Sequence, residues 1–205
     1  MSELRRQRLL PFGAALVTVL TVAAVALASG SRPRVQVDDP NDTKGTMDIR
    51  SVLFDPEAGP PRWNVLTFAD WRPKDIQDRG FVFLYLDAAG DERAEHYVMI
   101  RSQGRELSGS LWLDRRNAPD RRLRALEVTR DSRSSVAVQV PVGSILGGSR
   151  TSYRWWVVTT FTGRVCPATC VDRLPDTGAV EEPPSSPTTT PTGSPTPTTT
   201  PSIVG

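Results

Sequence analysis

Residues 80–87, GFVFLYLD, decide the fold of this chain because the segment is apolar on both sides of a period-two pattern. Alternate side chains from Phe81 to Tyr85 are aromatic, and those between them, from Val82 to Leu86, are aliphatic. A strand of this kind belongs in the middle of a sheet whose two faces are both covered. We therefore expect residues 80–87 to form a central strand.

Other segments of the chain have the same alternation and are rich in β-branched and aromatic residues. They are MDIRSVLF (47–54), RWNVLTFA (62–69), EHYVMIR (95–101), ELSGSLWL (106–113), ALEVTR (125–130), SSVAVQVPV (134–142) and SYRWWVVTTFT (152–162). Turn residues separate them, and the one short helical candidate is 142–146. The sequence predicts an all-β fold, an antiparallel β-sandwich of jelly-roll type.

The N-terminal segment has the composition of a targeting signal. Arg5, Arg6 and Arg8 precede an uncharged apolar run over residues 9–27, and Ala26-Leu27-Ala28 fits the pattern of a signal-peptidase site. Residues 1–28 are predicted to be a signal peptide or, alternatively, an uncleaved signal-anchor helix, since the run is nearly long enough to span a bilayer. The arginines keep the N-terminus inside in both cases, so the rest of the chain is expected to be extracytoplasmic, either secreted or membrane-anchored.

The remaining residues divide by composition into a linker (29–36), the sandwich domain (37–181) and a Pro/Thr-rich tail (182–205). The tail has little to bury, so we expect it to stay disordered, as a spacer, an O-glycosylated stalk or an unmodified tail. The sequence LPDTG (174–178) has the letters of a sortase signal. It is followed by glutamates and the Pro/Thr tract rather than by an apolar stretch and a basic end. We therefore predict that it is a turn that closes the domain.

The charge balance argues against nucleic acid as a partner. The formal net charge is +2, and residues 1–28 contain three of the 25 basic residues and one of the 23 acidic ones, which leaves 22 of each. A nucleic-acid-binding domain needs a basic face. The arginines that flank Asn117–Asp120 are predicted to be solvated loop charges.

The two cysteines, Cys166 and Cys170, are predicted to form a disulfide because an even pair outside the cytoplasm is oxidised. The loop that it closes is very short, so chain entropy assigns it about 2 kcal/mol.

Two features of the chain resemble known extracellular modules. The second half of DOMON-like and family 9-type carbohydrate-binding β-sandwiches resembles the succession of VQVPVGSIL (138–146) and SYRWWVVTTF (152–161). The acidic first loop of related modules, which can hold calcium, resembles DDPNDTKGTMDI (38–49). Over most of residues 38–181 the chain is also similar to a group of uncharacterised secreted proteins of GC-rich bacteria, through 39–42, 78–80 and 173–176. The resemblance implies a sandwich fold and makes glycan binding an expectation.

The first loop is also the best candidate for a metal site on its own residues. Its oxygen-bearing side chains are Asp38, Asp39, Asn41, Asp42 and Asp48. Calcium takes six to eight oxygen ligands, and mixed carboxylate and amide oxygens suit it. The alternative is a set of Asx turns that cap the first strand. Calcium is the only cofactor that the sequence suggests.

Trp63, Trp71 and Trp112 are candidates for a face that stacks on sugar rings, whereas Trp155 and Trp156 are expected in the core. Trp71 lies in a segment that reads as a loop with charged neighbours, and core packing is the alternative for it.

Residues for catalysis are scarce. The single histidine, His96, is expected to be a hydrogen-bonded or surface residue, and the acidic residues around 87–95 are expected to be solvated at a hairpin tip. We therefore expect a non-catalytic module that binds a glycan, a cell-wall polymer or a surface protein. The alternatives are a display module without a dedicated ligand and, more distantly, a secreted hydrolase with two carboxylates.

Overall fold

The structure is a computed structural model that describes residues 32–146 and 152–182, and these residues form two antiparallel sheets around one core. The predicted all-β sandwich is therefore confirmed. The predicted leader (1–28) and the tail from residue 183 onward lie outside the described residues. Within the described part of the chain, no helix is long and apolar enough to cross a membrane.

The smaller sheet contains the first strands of the chain. In spatial order its strands are β1 (Val35–Asp38), β2 (Ile49–Asp55), β3 (Arg62–Thr67), β9 (Ser135–Gln139) and β8 (Val128–Thr129). The first strand begins inside the segment expected to be a linker.

The larger sheet contains the remaining strands that the structure describes. In spatial order they are β11 (Cys166–Leu174), β10 (Tyr153–Gly163), β4 (Gly80–Asp87), β5 (His96–Gln103), β6 (Glu106–Leu113) and β7 (Arg121–Leu126), and β12 (Val180–Glu182) also pairs with β10. A short helix, α1 (Val142–Ile145), matches the predicted helical candidate, and a single 3₁₀ turn covers Pro73–Asp75.

Strand β4 lies between β10 and β5, in the interior of the larger sheet as predicted. Its inner side chains, from Val82 to Leu86, are buried against the smaller sheet. The outer ones, from Phe81 to Tyr85, are only half-buried. The expectation that both faces are covered by other layers is wrong for the outer face. Among the described residues, aromatic neighbours on the same strand and on the adjacent strands shield these rings instead.

The core is centred on large rings from both sheets. Trp63 of β3 lies 4.6 Å from Phe54 of β2 and 6.3 Å from Trp155 of β10, measured between ring centroids. All three residues have no exposed surface. Period-two alternation puts these rings inside because each strand exposes its other face.

Two segments differ from the sequence prediction. The arginine-rich stretch expected in a loop includes β7, whose arginines are exposed on an edge strand, and the chain then changes sheet at Glu127. Strand β11 was not predicted, because CPATCVDRL has few strand-forming residues. It forms an antiparallel pair with β10, to which the two residues Arg164 and Val165 connect it. Pairing with β10 therefore overrides the weak β-strand propensity of this segment.

The predicted disulfide between Cys166 and Cys170 is present at the start of β11. The LPDTG segment leaves β11 at the buried Leu174 and turns into β12, as predicted. Gly178 has a φ of +70°, which favours glycine at that position of the turn. The guanidinium of Arg173 donates to the carbonyl oxygens of Pro175 and Gly178 and so holds the turn in place.

Candidate functional site

Four aspartates form a cluster between the two sheets, which we call the acidic centre: Asp39, Asp42, Asp48 and Asp172. One carboxylate oxygen of each lies within 4.8 Å of the corresponding oxygens of the others. Asp39 directly follows β1, Asp42 lies in the connection to β2, and Asp48 directly precedes β2. Asp172 is on β11 in the other sheet, and its Oδ2 accepts a 2.5 Å hydrogen bond from the backbone N–H of Ile49. The centre therefore joins the first loop to the larger sheet.

Burial makes the acidic centre electrostatically unfavourable when its carboxylates are charged. Asp39, Asp48 and Asp172 are 8%, 3% and 5% exposed. Burial first, and then the charge of Asp172, raises the pKa of Asp39 to about 7 and that of Asp48 to about 6. Burial also raises the pKa of Asp172.

Two oxygens of the acidic centre lack a hydrogen-bond partner. They are Oδ2 of Asp39 and Oδ1 of Asp48, both fully buried. Buried polar atoms are almost always satisfied, so each exception needs an explanation.

The loop between β1 and β2 is held in its conformation by β10 and the disulfide. Thr159 donates a 2.5 Å hydrogen bond to the carbonyl oxygen of Met47. Gly45 has a φ of +116°, and a β-carbon there would lie 3.1 Å from Sγ of Cys166 and 3.2 Å from the ring of Phe161. Only glycine fits both the backbone angle and the space, so the loop that carries Asp42 and Asp48 depends on it.

The structure brings together three of the five residues that the sequence suggests as metal ligands, namely Asp39, Asp42 and Asp48. Asp38 and Asn41 are exposed and do not belong to the centre, and Asp38 accepts a 2.7 Å hydrogen bond from Gln36 instead. Asp38 points away because it is the last residue of β1 and faces the side opposite to the buried Asp39, whereas Asn41 lies in the exposed connection to β2. Sequence reasoning missed Asp172. Asp172 lies two residues before the apolar Leu174 and so on the same face of the strand, which was a signal that this carboxylate faces inward.

The outer face of the larger sheet carries a second feature, which we call the aromatic row: Trp112, Tyr97, Tyr85 and Trp156. These residues lie directly opposite one another on the adjacent strands β6, β5, β4 and β10. Successive ring centroids are 6.1, 6.0 and 5.3 Å apart. Each side chain is half-buried.

Hydrogen bonds hold two of these rings in place. The hydroxyl of Tyr97 donates to Asp120 at 3.0 Å, and the indole N–H of Trp112 donates to Oγ of Ser110 at 2.8 Å. Burial, together with the hydrogen bond to Asp120, raises the pKa of Tyr97 to about 12. The row is therefore ordered before any ligand binds.

One end of the aromatic row opens into a surface groove of about 350 Å³. The groove is lined by Trp156, Arg154, Arg173, Glu92, Glu181, Gly178 and Ala179. The guanidinium of Arg173 lies 5.4 Å from the centre of the Trp156 ring. The lining combines an aromatic ring with two positive and two negative side chains, so its charge is balanced.

The three tryptophans predicted as a stacking face have different positions. Trp63 is in the core, and Trp71 is 2% exposed, so the prediction that they form a surface face is wrong. Trp71 is buried because its indole N–H donates to Thr67 at 3.1 Å and Arg130 packs 4.0 Å above its ring. Trp112 belongs to the aromatic row.

The row includes Trp156, which was expected in the core. Trp155 is in the core as expected, and Trp156 is not, because neighbouring residues on a strand face opposite sides. Tyr85 and Tyr97 were not singled out, although the aromatic set in GFVFLYLD was a signal for the first of them.

The acidic hairpin at residues 87–95 is explained by backbone hydrogen bonds. Asp87 accepts from the N–H groups of Gly90 and Glu92 at 2.6 and 2.9 Å. Glu95 accepts two further bonds from the same turn. Asp87 and Glu95 therefore hold the hairpin together rather than being solvated, whereas Asp91 and Glu92 are exposed, as expected. His96 is half-buried, burial lowers its pKa, and its buried Nδ1 has no hydrogen-bond partner among the described residues.

Searches against family models, curated proteins and solved structures found no match for this chain.

Proposed function

We propose that this chain is a non-catalytic, extracytoplasmic β-sandwich module that binds a glycan along the aromatic row. The observation that carries the proposal is the direct cross-strand register of Trp112, Tyr97, Tyr85 and Trp156. Aromatic side chains are costly to leave partly exposed, so four of them in line on a sheet face that the described residues leave only half-covered indicate a binding surface.

The type of ring favours sugars over a purely apolar ligand. Tyrosine and tryptophan combine an apolar body with a polar edge. A sugar ring has the same duality, with C–H groups on its faces and hydroxyl groups around its rim. A row of such side chains therefore suits a linear polymer of sugar rings that crosses the strands.

The groove at the end of the row supports the same ligand class. Ligand sites combine aromatic walls with a few polar groups that set orientation and specificity. Arg154, Arg173, Glu92 and Glu181 can donate to or accept from hydroxyl groups, while their balanced charge does not favour a polyanion. A neutral or weakly charged glycan is the ligand class that fits both parts.

The location is supported by the predicted leader and by the disulfide between Cys166 and Cys170, which suits an oxidising compartment. The non-catalytic character is supported by the acidic hairpin. Its carboxylates accept backbone hydrogen bonds, so they are poorly placed to serve as the acid and base of a hydrolase.

Affinity electrophoresis of the full chain in native gels that contain single polysaccharides tests this proposal. We expect retardation by at least one neutral polysaccharide and loss of that retardation in Trp156→Ala and Tyr97→Ala. Phe68→Ala is the matched control because Phe68 is an aromatic residue outside the row that is 40% exposed. This control should migrate as the unmodified chain does.

Two results would overturn the proposal. One is migration unaffected by any polysaccharide, which would favour a display module or a module that binds a protein. The other is retardation that both row variants retain.

A further inference from the structure

We propose that Asp39, Asp42, Asp48 and Asp172 bind a calcium ion that ties the first loop to the larger sheet. The proposal rests on two observations. One carboxylate oxygen of each aspartate lies within 4.8 Å of those of the others. Two buried oxygens, Oδ2 of Asp39 and Oδ1 of Asp48, have no hydrogen-bond partner. It does not depend on the glycan proposal.

No cationic side chain among the described residues forms an ion pair with the acidic centre. The ion pairs found there involve other residues, and none of them includes a member of the acidic centre. Backbone N–H groups of Ile49 and Arg173 bind Asp172. Several buried carboxylates without a cation are strongly unfavourable, since each loses its hydration and repels the others. A bound cation removes both costs.

The unpartnered oxygens indicate where the cation lies. Asp39 and Asp48 are each more than nine-tenths buried, and each carries one buried oxygen without a hydrogen-bond partner. Asp172 uses its oxygens for N–H groups, but a carboxylate oxygen retains a second lone pair that can bind a metal. The more exposed Asp42 closes the site on the solvent side.

The donor set selects calcium. All four side chains offer oxygen, and zinc and other softer metals prefer histidine or cysteine, which the centre lacks. Magnesium is usually held by one or two carboxylates and several waters, whereas calcium accepts many carboxylates in flexible geometry. Opposite ligands across calcium are about 4.6–5.2 Å apart, twice the metal–oxygen distance, and the oxygens here lie within 4.8 Å of one another.

The raised pKa values of Asp39 and Asp48 agree with this assignment, because they express the same uncompensated negative charge. Asp176, in the LPDTG turn, adds to the field at Asp39. The site therefore draws on charge from the first loop, from β11 and from the turn after it.

The test uses the full chain after chelation and dialysis, with isothermal titration of calcium chloride and thermal unfolding at increasing calcium. We expect saturable binding of one ion per chain and a melting temperature that rises with calcium concentration by mass action. Magnesium chloride at equal concentration should give a much smaller rise.

The substitutions Asp48→Asn and Asp172→Asn separate the site from the fold. Each keeps the side-chain shape and removes one charge. For Asp48→Asn the melting temperature in chelator should be unchanged or higher. Asp172→Asn also loses one of the two oxygens that accept from the N–H groups of Ile49 and Arg173, so its melting temperature in chelator should be lower. The calcium-dependent rise should disappear. The matched control is Asp38→Asn, because Asp38 is in the same acidic loop but outside the centre. This control should keep the full calcium response.

Superimposed melting curves with and without calcium, together with no heat of binding, would overturn the proposal. So would a calcium response that Asp48→Asn and Asp172→Asn both retain, or one that is lost in Asp38→Asn alone. Each variant is first checked for native β-sheet circular dichroism in chelator. A variant that passes this check and then fails to bind calcium in the titration has lost the site and not the fold.

Discussion

Tyr85 and Trp156 lie directly opposite each other on β4 and β10, with ring centroids 5.3 Å apart and ring planes inclined by 14°. Cross-strand aromatic pairs stabilise a sheet by about 0.2–1 kcal/mol. The pair therefore contributes to stability as well as to the proposed binding surface. Variants of the row must be compared at the level of both unfolding and binding.

The two faces of the larger sheet should differ in their sensitivity to truncation. Trp155→Ala removes a ring with no exposed surface, so we expect the free energy of unfolding to fall by about 3–5 kcal/mol. Trp112→Ala removes a half-buried ring on the outer face and should cost less than half as much. Urea denaturation of both variants measures this difference. Equal losses would mean that the outer face is packed as tightly as the core.

The tyrosines should titrate late. Burial raises the pKa of Tyr85, Tyr97 and Tyr153, and Tyr97 reaches about 12 with the help of its bond to Asp120. Ultraviolet titration of the folded chain should therefore show little tyrosinate near the ordinary value of about 10. A tyrosine that titrates at its ordinary value would show that its ring is more exposed than described.

The same shifts set the direction of the stability change at high pH. The folded state holds the tyrosine protons more tightly than the unfolded state does. The contribution of these tyrosines to the free energy of unfolding is therefore fully present below about pH 10 and is lost as pH rises through the folded pKa values. Tyr97→Phe should flatten part of this loss between pH 10 and about 12, measured as urea midpoints at each pH. The phenylalanine side chain of this variant cannot ionise, so an unchanged slope would contradict the assigned pKa of Tyr97.

Gly45 should be the most sensitive of the turn glycines. Gly45→Ala combines a φ of +116° with contacts of 3.1 and 3.2 Å, so we expect a loss of about 1–3 kcal/mol and a displaced first loop. Gly143→Ala is the matched control, since it lies in α1 with no atom within 4 Å of the added β-carbon. That variant should be neutral or slightly more stable. Equal effects at the two positions would show that the loop is not held as described.

The disulfide should act locally. It closes a loop between residues four apart, for which chain entropy predicts a contribution of about 2 kcal/mol. The double substitution Cys166→Ser and Cys170→Ser should lower the free energy of unfolding by about that amount and leave the sheet content unchanged in circular dichroism. Complete unfolding at room temperature would mean that the bridge supports the whole domain.

The all-β architecture and the central position of β4 could be predicted because alternation in residues 80–87 is a local signal. The acidic centre could be predicted only in part. Asp39, Asp42 and Asp48 lie in one loop, but Asp172 reaches them from β11, and its bond to Ile49 spans 123 residues. Pairing between distant strands is not written in any local pattern.

Only Trp112 of the aromatic row was predicted, and the other members were missed for a different reason. Its members come from four strands, and their alignment depends on the register of each pair. A shift of one residue would turn a ring to the other face. The adjacent pair Trp155 and Trp156 illustrates this, since one ring is in the core and the other is in the row.

Isothermal titration of the full chain with the neutral polysaccharide that retards it most tests directly whether the aromatic row binds a glycan. We expect saturable binding that Trp156→Ala weakens by at least about tenfold, as expected for an aromatic anchor, while Phe68→Ala binds normally. Equal affinity for the unmodified chain and the Trp156→Ala variant, with both folded, would contradict the claim that the aromatic row is the binding surface.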